Sequence, residues 1–336
     1  MPSHLPSPLG GIRSAALLVV MATGSVAADP LRQPFAVRNH NPFVAVYGIP
    51  VMDTVEVLDA GGQRLGLTLD VTSNFTDDGT DNEFIAIDGE TYRLALRYTR
   101  GLADGWEAGF ELPLLRHGGG FLDGFIINWH DFFGFPQGGR DNSARDRLEY
   151  RYTTGGNDLL RVEEAETGIG DVTLHVGHRL GDGEGTRRLA LRAQLKAPTG
   201  DSERLFGSGG WDAALWLQVQ DSWTAHLWWS AGAGVSYLGR GDVLPDLQRS
   251  LVGILNLGAG WQPWQRLSLQ LQADLQSPAY QDTPLGQLSD TAVQLSIGGS
   301  ARFTDRLYLD FAVVENEFTP DASPDVSFHI RLRTRW

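Results

Sequence analysis

The stretch VSFHIRLRTRW, residues 326–336, alternates strictly: Val326, Phe328, Ile330 and Leu332 are apolar, and Ser327, His329, Arg331 and Arg333 between them are polar. Successive side chains of a strand point to opposite faces, so this spacing predicts a strand with one apolar and one charged face. A soluble sheet could use such a strand too, with its apolar face on a core. What decides between the two is how often the pattern returns. RLSLQLQADLQ (266–276) sets Leu267, Leu269, Leu271, Ala273 and Leu275 against Ser268, Gln270, Gln272, Asp274 and Gln276. TYRLALRYT (91–99) sets Tyr92, Leu94, Leu96 and Tyr98 against Arg93, Arg97 and Thr99; WEAGFELPLL (106–115) and RLALRAQLKA (188–197) repeat the scheme.

Twelve such segments are predicted, near 64–75, 83–100, 105–115, 168–180, 187–198, 210–221, 224–238, 248–262, 266–277, 288–303, 306–316 and 325–336. Most reach the roughly 9–11 residues that a tilted strand needs to cross a bilayer. The connections alternate short and long, which is the signature of a transmembrane barrel with periplasmic turns and extracellular loops. A β-sandwich has no reason to gather its long loops at one end. Tyr98, Trp106, Trp223, Trp261, Trp264, Phe303 and Trp336 fall at the short-turn ends, where their amphipathic rings would form one interfacial belt, and Phe75, Trp211 and Tyr237 sit at the opposite ends. The expected fold is all-β: one antiparallel transmembrane barrel of about twelve strands over residues 64–336, with both termini periplasmic.

The start of the chain agrees with an exported protein. Arg13 is the only charge before an apolar run, Ala15 to Ala22, and Val26 and Ala28 fit the −3 and −1 positions of a signal peptidase site. Residues 1–28 therefore read as a cleaved signal peptide, too short for a membrane span. The chain has no Cys, which excludes disulfides and a lipidated N-terminus. Without the leader, 26 basic residues face 41 acidic ones, a formal charge of −15 that argues against a nucleic-acid partner. No later window is long and apolar enough for a spanning helix. The expected location is the outer membrane of a Gram-negative cell.

Strand parity also predicts what lines the lumen. Arg93, Arg97, Glu107, Glu111, Arg192, Lys196, Asp274, Asp310, Arg331 and Arg333 should point inward, and their mixed signs favour an ion-pair lattice over a single-sign ring. Twelve strands enclose less space than the 16–18 of open porins. Residues 29–63 are too apolar for a disordered tail and lie outside the strand count, so insertion into the lumen as a plug is the economical expectation. In the longest connection, FLDGFIINWHDFFGF (121–135) places Phe121, Leu122, Phe125, Ile126, Trp129, Phe132 and Phe133 at i, i+3/i+4 spacing, with Asp123 in the first turn. This reads as an amphipathic helix, weakened by Gly124. Such a stripe must pack on the rim, fold into the lumen or line a ligand slot. Phe121, Phe125, Trp129, Phe132 and Phe133 are expected to form an apolar surface at the extracellular mouth, facing the lumen.

Catalytic and metal signals are thin. A barrel hydrolase needs His and Ser together on one strand with an Asn orienting the His; no H-x-S occurs, and His329 follows Ser327 in reversed order. His175 and His178 are three apart and should face opposite ways. The acidic turn DDGTDNE (77–83) lacks the spacing of a calcium loop. No enzyme activity and no cofactor is expected.

Four motifs occur in order: PFAVRNHNPF (34–43), FLDGFIINWHDFFGFPQGGRD (121–141), GIGDVTL (168–174) and LKAPTGD (195–201). Together they resemble an uncharacterised family of proteobacterial outer-membrane proteins known only as a domain of unknown function. The last two are also similar to outer-membrane transporters of phenols and other meta-pathway substrates. Residues 326–336 resemble the terminal strand of outer-membrane proteins, in which Phe328 and Trp336 would be the aromatics read by the barrel-assembly machinery. The resemblance implies a fold and a location, and carries over no functional residue. The expected function is facilitated diffusion of a small hydrophobic or aromatic solute through a monomeric barrel among outer-membrane lipids. The alternatives are a sealed structural or surface-interaction barrel and a barrel lipid hydrolase.

Overall fold

The computed structural model describes residues 29–103, 105–133, 145–181, 185–316 and 322–336, with the side chains of 129–133 excepted. The predicted leader lies outside the described residues. Strands β1 (Gln63–Gly79), β2 (Glu83–Gly101) and β3 (Trp106–Gly118) open the sheet, followed in the long connection by helix α2 (Leu122–Phe133) and strands β4 (Glu149–Thr154), β5 (Asn157–Val162) and β6 (Glu166–Ile169). A single-turn helix α1 (Pro42–Ala45) precedes them all. Then come β7 (Thr173–Arg179), β8 (Arg188–Lys196), β9 (Asp212–Ser222), β10 (Leu227–Leu238), β11 (Leu251–Trp264), β12 (Leu267–Gln276), the short α3 (Gly286–Ser289), β13 (Ala292–Arg302), β14 (Leu307–Glu315) and β15 (Val326–Arg335).

Antiparallel pairing runs from β1 through β2 and β3 to β7, on through β15, and back to β1, with Leu67 opposite Leu332 and Asp70 opposite His329 at the closure. The result is a closed barrel of 12 strands. Closure leaves no sheet edge for lipid to meet with unpaired backbone groups. Every one of the twelve predicted segments is a barrel strand. The β4–β5 hairpin was not among them: it extends the upper part of β2 through pairs from Glu83–Thr154 to Asp88–Glu149 at the long-loop end.

The two faces invert the pattern of a soluble protein. Leu67, Leu69, Leu94, Leu112, Leu217, Leu257, Leu271, Ile297, Phe311, Ile330 and Leu332 are all exposed on the outside. So large a continuous apolar band cannot stand in water and fits the hydrocarbon core of a bilayer. Trp106, Trp223, Trp261, Trp264, Phe303 and Trp336 are exposed at the short-turn end, and Trp211 and Tyr237 at the other. The buried residues between them are mostly polar, and they face a lumen that is occupied.

Candidate functional site

Residues 29–58 form a hairpin inside the barrel. It starts at the short-turn rim, where Asp29 pairs with Arg302 at 3.0 Å and the Arg32 guanidinium donates to Ser222 and Gln262. Higher up, the Gln272 side chain clasps Phe35 on both sides, accepting from its N–H at 2.7 Å and donating to its carbonyl at 3.1 Å. Asn41 caps α1 by accepting from the Phe43 N–H and donates to the Gln287 carbonyl in a long loop. The descending limb returns past Gly48, whose N–H donates to Asp212 at 2.7 Å. A Cβ at Gly48 would lie 2.8 Å from that of Asp212 and 2.9 Å from that of Lys196, so only glycine lets the backbone approach this wall. The limb ends with the Leu58 N–H on Glu107 and a turn at Gly61, whose φ of 83° suits glycine.

One wall of the lumen is charged. Glu111 accepts from Arg38 of the hairpin at 3.0 Å, from Arg97 at 3.1 Å and from Arg93. Asp53 of the hairpin pairs with Arg331 at 2.9 Å and Arg97 at 3.8 Å. Asp310 holds Arg333 at 2.5 Å, Glu107 holds Arg192 at 2.6 Å, and Lys196 bridges Asp171 at 2.5 Å and Asp212 at 3.1 Å. Asp70 lies between His329 at 2.7 Å and His40 of the hairpin at 3.5 Å. Nine of the ten residues singled out by parity are buried and enter this lattice, and Asp274 stands apart from it. Burial pushes the Asp53 carboxyl up, but the Arg97, Arg331, Arg192 and Arg64 guanidiniums outweigh it, holding the group well below the usual carboxylate range. Burial and the neighbouring Arg93 lower Arg38 to about 10, still protonated at neutral pH. Burial likewise lowers His40, only partly offset by Asp70, and keeps it neutral.

The opposite wall, β9 to β13, is built from Gln218, Ser230, Asn256, Gln270, Gln272, Gln294 and Ser296, all buried and uncharged. Above both walls the hairpin tip and the long loops share an apolar core. Phe43, Val44, Val46 and Tyr47 pack with Ile85, Ile87, Tyr150, Leu205, Val243, Leu244, Tyr280, Leu285 and Leu288. Tyr280 donates to the Phe43 carbonyl at 2.6 Å and Tyr47 to that of Val243 at 3.3 Å, which ties hairpin and loops together. Beside the upper hairpin the space left is small, in cavities of ≈ 40 and ≈ 30 Å³ with room for a few waters, whereas at the short-turn rim two open spaces of ≈ 400 and ≈ 460 Å³ border Asp29 and Arg32.

Two of the sequence motifs meet at one point. Asp171 of GIGDVTL accepts from the Thr199 and Gly200 N–H groups and from Lys196 of LKAPTGD, and from the Ser208 N–H. It fastens the break between β6 and β7 to the loop after β8. Ser327 and His329, both facing inward, hydrogen-bond to Thr72 and Asp70 respectively.

The aromatic helix is not where the lumen-facing hypothesis put it. Leu122 and Ile126 pack with Val326, Val71, Val313 and Phe328, all on the outward parity of β1, β14 and β15, and the Phe125 ring meets Phe328 edge-on at 6.1 Å. α2 therefore lies on the outer wall across the β1–β15 closure, with Phe121 and Phe125 exposed toward lipid. The physical reason is that the mouth already has an apolar lid, whereas the top of the closing strands presents an uncovered apolar surface. The side chains of Trp129, Phe132 and Phe133 lie outside the described residues. Glu90, missed by the sequence reading, secures the helix. Its buried carboxylate accepts from the Phe121 N–H at 2.6 Å and the Leu122 N–H at 2.5 Å, satisfying donors that open every helix. Replacing Glu90 with Ala should cost about 1–3 kcal/mol locally and raise amide exchange over residues 121–128 while the barrel stays heat-modifiable. Unchanged protection there would mean the helix is held by its apolar face alone.

Residues 13–336 match the family described as "Protein of unknown function (DUF3187)". No curated protein matches the sequence. Among solved structures, the COG4313 outer membrane channel from Pseudomonas putida F1 is similar at 13% identity and a TM-score of 0.55, over 84% of this chain and 98% of that one. The NanC porin aligns at 12% identity and a TM-score of 0.46, over 80% and 98%. The Pseudomonas putida toluene transporter TodX aligns at 10% identity and a TM-score of 0.37, over 83% and 89%. The first of these likenesses, with its TM-score of 0.55, shows a shared barrel fold.

Proposed function

The chain belongs to that family of unknown function, and from its own geometry we propose that it is a hairpin-gated outer-membrane channel for small, largely apolar or aromatic solutes. The observation that carries the reading is how residues 30–58 are held. Ion pairs, side-chain hydrogen bonds and apolar contacts bind them, and among the described residues no strand ladder joins them to the wall. The hairpin can leave without breaking a barrel hydrogen bond. A structural filler has no need of so separable an attachment. The apolar lid and the apolar side of the ≈ 40 Å³ cavity, Val44, Tyr47, Ile49, Pro50 and Ile254, favour solutes with apolar bodies. A fold shared with an outer membrane channel supports the same class.

In this reading residues 1–28 are removed after Ala28, and Asp29 begins the hairpin at the periplasmic mouth. The chain assembles as a monomer through the barrel-assembly machinery, with Phe328 and Trp336 supplying the terminal aromatics. A sealed surface barrel is the second reading, favoured by the filled lumen. Uptake of a labelled aromatic solute at low external concentration, by cells with and without the chain, separates the two. The lipopolysaccharide leaflet makes the unaided rate slow, so a channel should raise it. Equal rates at equal surface expression would favour the sealed barrel.

A further inference from the structure

One interior carboxylate breaks the rule of the lumen. Asp53, Asp70, Glu107, Glu111, Asp171 and Asp310 each have a cationic or imidazole partner, as the pairs above show. Asp274 on β12 is the one acidic residue on the inner faces of β10 to β13, and among the described residues no cation pairs with it. Its oxygens accept only from neutral amides, Asn256 at 2.6 Å and Gln272 at 2.8 Å. The first of these bonds fixes the Asn256 amide, which is 1% exposed, with its Oδ1 left without a partner. Both residues line the ≈ 40 Å³ cavity between the hairpin and the wall, across from Tyr47, Ile49 and Pro50. Two fixed acceptors thus stand together at the edge of a space that the hairpin lines with Val44, Tyr47, Ile49 and Pro50 and, beside them, Arg38 and Asn39. A buried acceptor without a donor is costly, and water can supply one only while the cavity stays wet. A divalent cation would require more oxygen ligands than this pair provides.

On the reading of the barrel as a channel, we propose that Asp274 and Asn256 are the recognition point for the solute, binding the hydrogen-bond-donating head, an amine or a hydroxyl, of an otherwise apolar molecule. When the hairpin moves, the cavity opens toward the apolar loop core. The solute's head then replaces water at the two acceptors while its body rests on Ile254 and the apolar residues above. The resting hairpin covers the acceptors, and its departure exposes them together with the path.

Three probes of one shape test this in the full chain: benzylamine, benzyl alcohol and toluene. Asp274→Asn should lower benzylamine uptake about tenfold, as expected for loss of a charge-assisted hydrogen bond, and leave toluene uptake unchanged. Asn256→Val should lower benzyl alcohol uptake several-fold and again spare toluene. If both variants keep the unaltered order of preference among the three, the site is overturned. Equilibrium unfolding in vesicles separates this site from transport: benzylamine should raise the urea midpoint of the unaltered chain and leave that of Asp274→Asn where it was. Protection without uptake of any probe would sustain the site and remove the channel. Uptake with no protection and no dependence on Asp274 would do the reverse.

Discussion

Deleting residues 30–58 is expected to turn a quiet barrel into a steadily conducting pore. The deletion removes Arg38 and Asp53 from the charged wall, and Glu56, which pairs with Arg335 at 3.4 Å, but Glu111 keeps Arg93 and Arg97, Asp310 keeps Arg333, and Glu107 keeps Arg192. Water can solvate what is left unpaired, because the wall is polar all round. At the outer end the lid loses Phe43, Val44, Val46 and Tyr47, and with them the hydrogen bonds that tie Tyr280 and Val243 to the hairpin. The strand ladders are untouched, so the variant should remain heat-modifiable. Planar-bilayer recordings should show a stable ohmic conductance where the full chain shows brief or no openings, and cells should become permeable to hydrophilic antibiotics. A folded variant that stays silent would mean that the long loops alone close the barrel.

The second large effect concerns Glu111. This buried carboxylate neutralises three guanidiniums, Arg38 from the hairpin and Arg93 and Arg97 from β2. Glu111→Ala leaves three like charges together in a space that little water reaches. Breaking a buried pair by removing one partner costs about 3–5 kcal/mol, much of it the uncompensated charge. Urea unfolding in vesicles should show a loss of that size, with a smaller one for Arg38→Ala, because Glu111 keeps two partners. A loss below about 1 kcal/mol, the range of a solvated pair, would mean that water already screens the cluster.

Why the strands were legible and the interior less so follows from what fixes each. In 266–276 the bilayer demands an apolar residue at every second position and the lumen a polar one between, so sequence alone settles the strand and its facing. The hairpin carries no such period. Its place depends on partners far along the chain, such as Asp53 with Arg331, 278 residues away. Composition showed that 29–63 is not a tail, and no local pattern could show how it is held. The β4–β5 hairpin did carry a signal, Gly155–Gly156 between two alternating runs, both glycines at positive φ. Its strands are short and charged and cross no membrane, so they lack the length and alternation that mark a spanning segment. For α2 the stripe was readable but its partner was not. Lipid-facing Phe328, Val71 and Val313 offer an apolar surface as good as any at the mouth, and only the fold shows that they lie beneath the helix. Asp274 was placed on the inner face by parity. That it stands apart from the lattice depends on which strands neighbour it around the ring.

In a hairpin-gated channel the hairpin moves when a solute passes. The chain has no cysteine, so a single engineered pair can lock it without side reactions. Val37 of the hairpin and Ala312 of β14 share one buried cluster inside the lumen, and Val37→Cys with Ala312→Cys places the pair there. Aromatic solute uptake should stop on oxidation, return with a thiol reductant, and be unaffected in either single variant. Uptake that continues at its unaltered rate through a fully oxidised barrel would show that solutes pass a fixed hairpin and that it is no gate.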